Sequence, residues 1–352
     1  MSSDATEADP RPLGDGHGWV DTPDEKTTRA ELVARIGEQQ RRVAFAVGSG
    51  LGGKVDRGQH QKQLLGAKAT LRLVDSIPSP VKRGPFATAC SLPVACRLSS
   101  GQPCPFADTS ADVRGMALKF FSPQGSETDI LATNEGGRSH ARNAETFMAF
   151  ADILVSRIEN GTSGAVEELL KELRGDKLTV GEVSRMAAIL LKEVGLHRVH
   201  SLSLESYWGS VVKLGDAAFK YSLHRHPETL PLHDSASDGP EYLRQEILHR
   251  LATGPVKWQL AVQLFVNEND TPVHDASKKW QSVPSVIGEL EISSIPSEED
   301  ERIVNQMAFN PANGFDPLGI THARADVYAA SARNRAGRGL LSSDAARQYL
   351  MA

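Results

Sequence analysis

The sequence predicts an α+β protein in which antiparallel strands, some long enough for a barrel, flank a central helical block and lead into a helical tail. Two observations carry this. The strings AKATLRLV, PVACRLSS and VRGMALKFF alternate apolar and polar residues with turn-rich stretches between them, the period-2 pattern of strands with one face buried. Between about 143 and 196, NAETFMAFADILVSRIEN, AVEELLKELRG and VGEVSRMAAILLKEVG instead repeat their apolar residues at the 3.6-residue period of helices.

The remaining elements follow in chain order. Residues 1–24 are rich in Asp, Gly and Pro and are expected to form a flexible arm, and 25–48 read as a helix lying outside any chemistry. After the helical block, YWGSVVKLGDAAFKYSLHR and VKWQLAVQLFVNEND supply hairpin strands, and the tail from about 297 is helical with a break at NPANGFDPLG. One domain over 25–340, closed by a short helix at 341–352, is the expected organisation.

Composition narrows the function. With 40% hydrophobic and 24% charged residues the 352-residue chain is of ordinary globular type, and a net charge of −5 argues against a nucleic-acid surface. The first twenty residues have neither a basic start nor an apolar core, and no stretch is long and apolar enough for a membrane span, so a cytoplasmic location without membrane partners is expected. Cys90, Cys96 and Cys104 fit neither a zinc knuckle nor a CxxC redox pair and are expected to be reduced and structural.

The tail segment THARADVYAASARNRAG holds the first candidate site. Arg324, Tyr328 and Arg335 stand at i, i+4 and i+11 and share one helix face. A phenol titrates near pH 10, so a phenolate at neutral pH needs a metal or a neighbouring cation, and Arg324 is one turn away. A surface helix with solvated arginines has the same spacing, so spacing alone leaves both readings open.

A resemblance separates them. DPLGITHARADVYAASARNR resembles the proximal helix of small catalase-related haem proteins. It implies Tyr328 as the axial ligand of haem b iron, with Arg324 supporting the phenolate and Arg335 a further cofactor residue. RGQHQKQLLGAKATLRL is similar to the strand of that superfamily that opens with Arg57, His60 and Lys62, which implies His60 as the distal base. PVACRLSSG resembles the strand supplying an arginine for a haem propionate, Arg97, and a serine bonded to the distal histidine, Ser99. VRGMALKFFSPQGSETDILATNEGGRSHARNAETF resembles the stretch that carries a distal asparagine, Asn134, then Arg142 and Phe147, and Arg57 joins Arg97 on the propionates.

The resemblance thus implies a catalase-like fold, an antiparallel β-barrel core enclosing haem with helices around it. It also implies a haem-dependent, peroxide-consuming oxidoreductase: a catalase or a catalase-related peroxidase using hydrogen peroxide or an organic hydroperoxide, with room for a small reducing donor. A hydroperoxide isomerase and a non-enzymatic haem-binding or sensing protein are the alternatives, and a homo-oligomer is compatible with each. Where relatives place a Pro and two Phe after the asparagine, this chain has Gly137, Ser139 and His140, so a wetter, more open pocket with weaker selectivity for hydrogen peroxide is expected.

Overall fold

A computed structural model describes residues 27–48, 55–231 and 239–352; the arm expected over 1–24 lies outside the described residues. Helix α1 (Arg29–Ala46) opens the described chain, set by a capping box in which Thr28 and Glu31 satisfy each other's backbone N–H. Four antiparallel strands follow, β1 (Gln63–Leu73), β2 (Ser91–Ser100), β3 (Arg114–Phe121) and β4 (Glu127–Thr133). The helical block is α2 (Ala144–Arg174), broken at Gly161, and α3 (Val180–Leu190), which ends in a π turn over Leu191–Gly195. Strands β5 (Tyr207–Leu214) and β6 (Ala217–Arg225), helix α4 (Tyr242–Thr253), and strands β7 (Val256–Leu264) and β8 (Ser285–Ile292) complete the barrel. The tail holds α5 (Glu298–Gln306), a two-residue strand β9 (Asp316–Pro317), α6 (Thr321–Asn334) and α7 (Ser343–Met351).

The strands run in the order β4-β3-β2-β1-β8-β7-β6-β5, and pairing of β4 with β5 closes them into an eight-stranded antiparallel barrel. Alternation along each strand decides what fills it. Val94, Cys96 and Leu98 of β2, Met116, Leu118 and Phe120 of β3, and Trp258 and Leu260 of β7 point inward into one apolar core. An eight-stranded barrel is only wide enough for its own side chains. The bore is therefore filled, and the large cavity lies between the outer barrel face and the helices.

The outer face is covered by helices. Leu32 and Ile36 of α1 pack with Ala144 and Met148 of α2 and with Ala323 and Ala330 of α6. Gln40 of α1 donates to the Asp56 carbonyl at 2.6 Å and accepts from Asn334 Nδ2 at 2.8 Å. The first helix is thus part of the cavity wall, not remote from it as its sequence position suggests. On the other side, Ala346 and Leu350 of α7 pack against Ala95 and Phe121 of the barrel.

The closing seam is short. Ala132 pairs with Gly209 and Thr133 with Trp208, and the next residues of β5 bulge before its pairing with β6 resumes at Val211. Gly209 is required there because a Cβ would run into the Tyr221 ring. Gly209→Ala is expected to lower stability by about 1–3 kcal/mol, as overpacking does. Urea unfolding measures it, and an unchanged midpoint would show that the seam has slack.

Candidate active site

The cavity, about 510 Å³, is lined by the barrel's outer face, by α1 and α2, and by α6. That volume lies in the range of roughly 300–1,000 Å³ typical of cofactor and ligand sites. Of the residues expected from the sequence, Arg57, His60, Arg97, Ser99, Phe147, Arg324, Tyr328 and Arg335 all line it. Asn134 does not.

On the helix wall, the guanidinium carbon of Arg324 sits 6.0 Å from the centre of the Tyr328 ring, one turn away on the face the spacing predicts. Arg324 also donates to Ser210 Oγ, which the bulge in β5 turns toward α6. Among the described residues the Tyr328 hydroxyl has no hydrogen-bond partner, so its oxygen is available to a ligand.

On the barrel wall, His60 stands in the loop before β1, not in the strand itself as its motif suggests. Its Nδ1 lies 3.1 Å from Ser99 Oγ, the pair expected from the sequence. Its backbone has φ 57°, a left-handed conformation that is costly for a residue with a side chain. Two bonds hold it there: its N–H donates to the Gly101 carbonyl at 3.1 Å, and its carbonyl accepts from Arg97 Nη2 at 2.8 Å. Gly115 provides the floor under the ring, since a Cβ there would sit 2.6 Å from His60 Cε1 and 2.7 Å from Nδ1. Burial first, and the charge of Arg97 second, push His60 down to about 3, so the imidazole stays neutral at physiological pH. Lys62 is turned away into a pair with Asp108 at 2.7 Å.

Three guanidinia gather at one end of the cavity, Arg57 and Arg97 from the barrel side and Arg335 from the end of α6. Arg57 donates through Nη2 to the carbonyls of Asn305 and Met307 at the end of α5, at 2.8 and 3.1 Å. Arg97, 3% exposed, spends Nη2 on the His60 loop, and Arg335 is 4% exposed. Burial lowers all three, Arg97 to about 9; repulsion from neighbouring guanidinia, Arg338 in the case of Arg335, adds to this, and Asp56 acts against it. The Nε atoms of Arg97 and Arg335 are buried with no partner among the described residues. Buried cations with unused donors call for an anion. The set fits haem b: two propionates for the guanidinia, a phenolic oxygen for the iron on the helix side, and a neutral imidazole on the barrel side.

Asn134 lies behind the cavity wall, hydrogen-bonded within the fold. Its Oδ1 accepts from the Arg114 N–H at 2.7 Å and its Nδ2 donates to Glu205 at 2.9 Å, which commits the amide to the end of the β3–β4 ladder. Alternation puts its neighbours Thr133 and Glu135 on the cavity side instead. Glu135 accepts from the His140 N–H at 3.1 Å and pairs with His140 Nδ1 at 2.6 Å, while Thr133 Oγ1 donates to its other oxygen at 3.0 Å. Burial would raise this carboxyl, but His140 outweighs it and the net shift is downward, so Glu135 is an anion facing the cavity. Sequence reasoning missed this pair, as well as Lys220, although an acidic residue five before a histidine in a glycine-rich turn was there to be seen. Nor is the pocket stripped of apolar cover: the His140 ring packs 5.6 Å from Phe147 and 4.7 Å from Phe150, both from α2.

Gly115→Ala is expected to displace the His60 ring while leaving the barrel intact, visible as a shifted imidazole resonance with unchanged circular dichroism. The His60 ring should not titrate between pH 5 and 8 by NMR; a midpoint near 6.5 would show that the site is wet. Since the folded value lies below the ordinary 6.5, the unfolded chain takes the proton first as pH falls. His60 therefore removes stability between pH 6.5 and 3 and has no such effect above it.

Comparison with known proteins shows similarity in both sequence and fold. The sequence is 29% identical over 270 residues to the catalase-related peroxidase of Mycolicibacterium paratuberculosis (strain ATCC BAA-968 / K-10), covering 72% of this chain and 81% of that protein. The structure is similar to that of catalase A from Saccharomyces cerevisiae, with a TM-score of 0.64 at 17% identity over 85% of this chain. It spans 64% of that catalase's length. No protein-family model matches the sequence. The chain thus has the barrel and helix arrangement of a catalase, and its sequence is similar to that of a catalase-related peroxidase along most of its length.

Proposed function

We propose that the protein is a haem-dependent, peroxide-consuming oxidoreductase of the catalase-related peroxidase kind. The observation that carries this is one cavity holding a phenol backed by a guanidinium, a neutral imidazole fixed by a serine, and buried arginines with unused donors. Haem b bound there supplies an iron centre whose oxidation accompanies O–O cleavage and whose reduction by a second peroxide or another donor restores it. Tyr328 would hold that iron, and Arg57, Arg97 and Arg335 would hold the propionates.

The chain's own part in the reaction is proton handling. With Nδ1 directed at Ser99 Oγ, His60 presents Nε2 to the cavity as a lone pair. Because the ring starts neutral, Nε2 can take the proton of a peroxide O–H and return it to the departing oxygen, which leaves as water or alcohol. Ser99 keeps the ring turned for both transfers. Glu135, anionic and on the cavity side, favours the transiently protonated imidazole and takes the electrostatic place that the sequence assigned to Asn134.

The cavity's polar side at Glu135, Ser139 and His140 supports a substrate range wider than hydrogen peroxide, with organic hydroperoxides accepted and a small donor oxidised. Turnover of hydrogen peroxide, of an alkyl hydroperoxide, and of peroxide with a phenolic donor would be compared. Fast oxygen evolution with no donor oxidation would reject the wider range.

The main test is spectral. Haem-loaded wild type should show five-coordinate high-spin ferric iron with tyrosinate features, and Tyr328→Phe should lose them. His60→Ala should cut peroxide consumption by about 10²–10⁴-fold with haem still bound. A protein that takes up no haem, or that consumes peroxide equally without the imidazole, overturns the proposal. Arg97→Ala with Arg335→Ala should weaken haem binding at least tenfold, read by transfer of haem to apomyoglobin.

A further inference from the structure

A second cationic place in the cavity is left unused by this chemistry. Lys220 stands on the outer face of β6, paired in register with Val211 on one side and Gln263 on the other, and lines the cavity. It is 7% exposed, yet among the described residues its ammonium has no hydrogen bond and no ion pair. The face of Trp280, 5.4 Å from Nζ, is the group beside it. Asp275 acts on it only at a distance, its Oδ1 being spent on the N–H and hydroxyl of Ser277 at 2.9 and 2.6 Å. Arg324 adds a second positive charge nearby, and burial together with that charge brings Lys220 down to about 8.

A largely buried ammonium without a counter-anion is costly to hold. An ordinary structural lysine would be neutralised by a carboxylate of the fold, as Lys119 is by Asp129 at 2.7 Å. The propionates of haem do not meet this need, because the guanidinium cluster lies elsewhere. Arg335 is eleven residues beyond Arg324, about 16 Å along α6 at 1.5 Å per residue. The charges that act on Arg97 include Arg335, whereas those that act on Lys220 are Asp275 and Arg324. The cavity therefore has two separate cationic ends. Val211, the register partner of Lys220, packs with Val273 and Trp280, and Pro272 and Ile320 also line the cavity.

We propose that Lys220 is an anion-binding residue for a carboxylate attached to an apolar body, which enters this end of the cavity alongside the cofactor. One carboxylate oxygen accepts from Nζ, and the body lies against the apolar wall. The site requires that haem occupy the guanidinium end, so it rests on the preceding reading, but it does not depend on which peroxide is consumed.

The test uses haem-loaded protein without peroxide, after haem uptake has been measured separately for each variant. Benzoate is titrated by calorimetry against its neutral counterpart benzamide. Wild type should bind benzoate at least tenfold more tightly than benzamide. Lys220→Met should abolish that preference, and Lys220→Arg should keep most of it, which separates loss of the charge from loss of the fold. Equal benzoate affinity in wild type and Lys220→Met overturns the proposal. So does a benzoate-induced shift of the Soret band that is the same in both, which would place the carboxylate on iron. If Lys220→Met instead weakens haem uptake as strongly as loss of Arg97, the lysine belongs to the cofactor's own site and the proposal is wrong. Failure of wild type to take up haem would count against the peroxide reading.

Discussion

Positive charge buried in the wall of the cavity is the constraint around which this molecule is arranged. Arg97 and Arg335 are almost fully buried, and each leaves its Nε without a partner among the described residues. The same side chains also knit the site together. Arg97 holds the carbonyls of His60 and Gln61, and Arg57 closes the end of α5. The charge that awaits an anion therefore also sets the backbone of the loop that carries the imidazole.

That coupling gives the two histidines of the cavity opposite characters. His60 faces cations and a hydroxyl, and the field around it disfavours a protonated ring. His140 faces a carboxylate that also accepts its backbone N–H, so its ring is oriented by an anion. One imidazole is prepared to receive a proton briefly and give it back. The other anchors a negative charge where the fold needs it. Their difference comes from their partners.

The chain order of the site was legible because the relevant residues obey simple periods. Arg97 and Ser99 share a strand face, and Arg324, Tyr328 and Arg335 share a helix face, while the family resemblance, not the spacing, assigned both faces to one cavity. Asn134 lies one residue past β4, where its side chain turns to the Arg114 backbone and continued alternation gives the cavity side to Thr133 and Glu135, a placement the motif spacing does not reveal. Other features depend on tertiary packing that a linear pattern does not encode. Nothing local says that α1 folds across α2 and α6, or that the bore of the barrel is full while its outside is hollow. Lys220 reads as an ordinary strand lysine until the neighbours that fail to neutralise it are known. Helix α4 starts at Glu241 without a side-chain cap, and β8 carries Gly288 in its middle, so neither announces itself.

The seam between β4 and β5 has a mechanical implication. Every other joint in the barrel is a longer ladder, while this one is made by Ala132 with Gly209 and Thr133 with Trp208, and all four residues border the cavity. Deformation concentrates where a closed structure is most thinly fastened. The compliance of the whole cylinder is thus delivered to one edge of the pocket, so slight spreading there would widen the chamber while the packed bore and the opposite strands kept their shape.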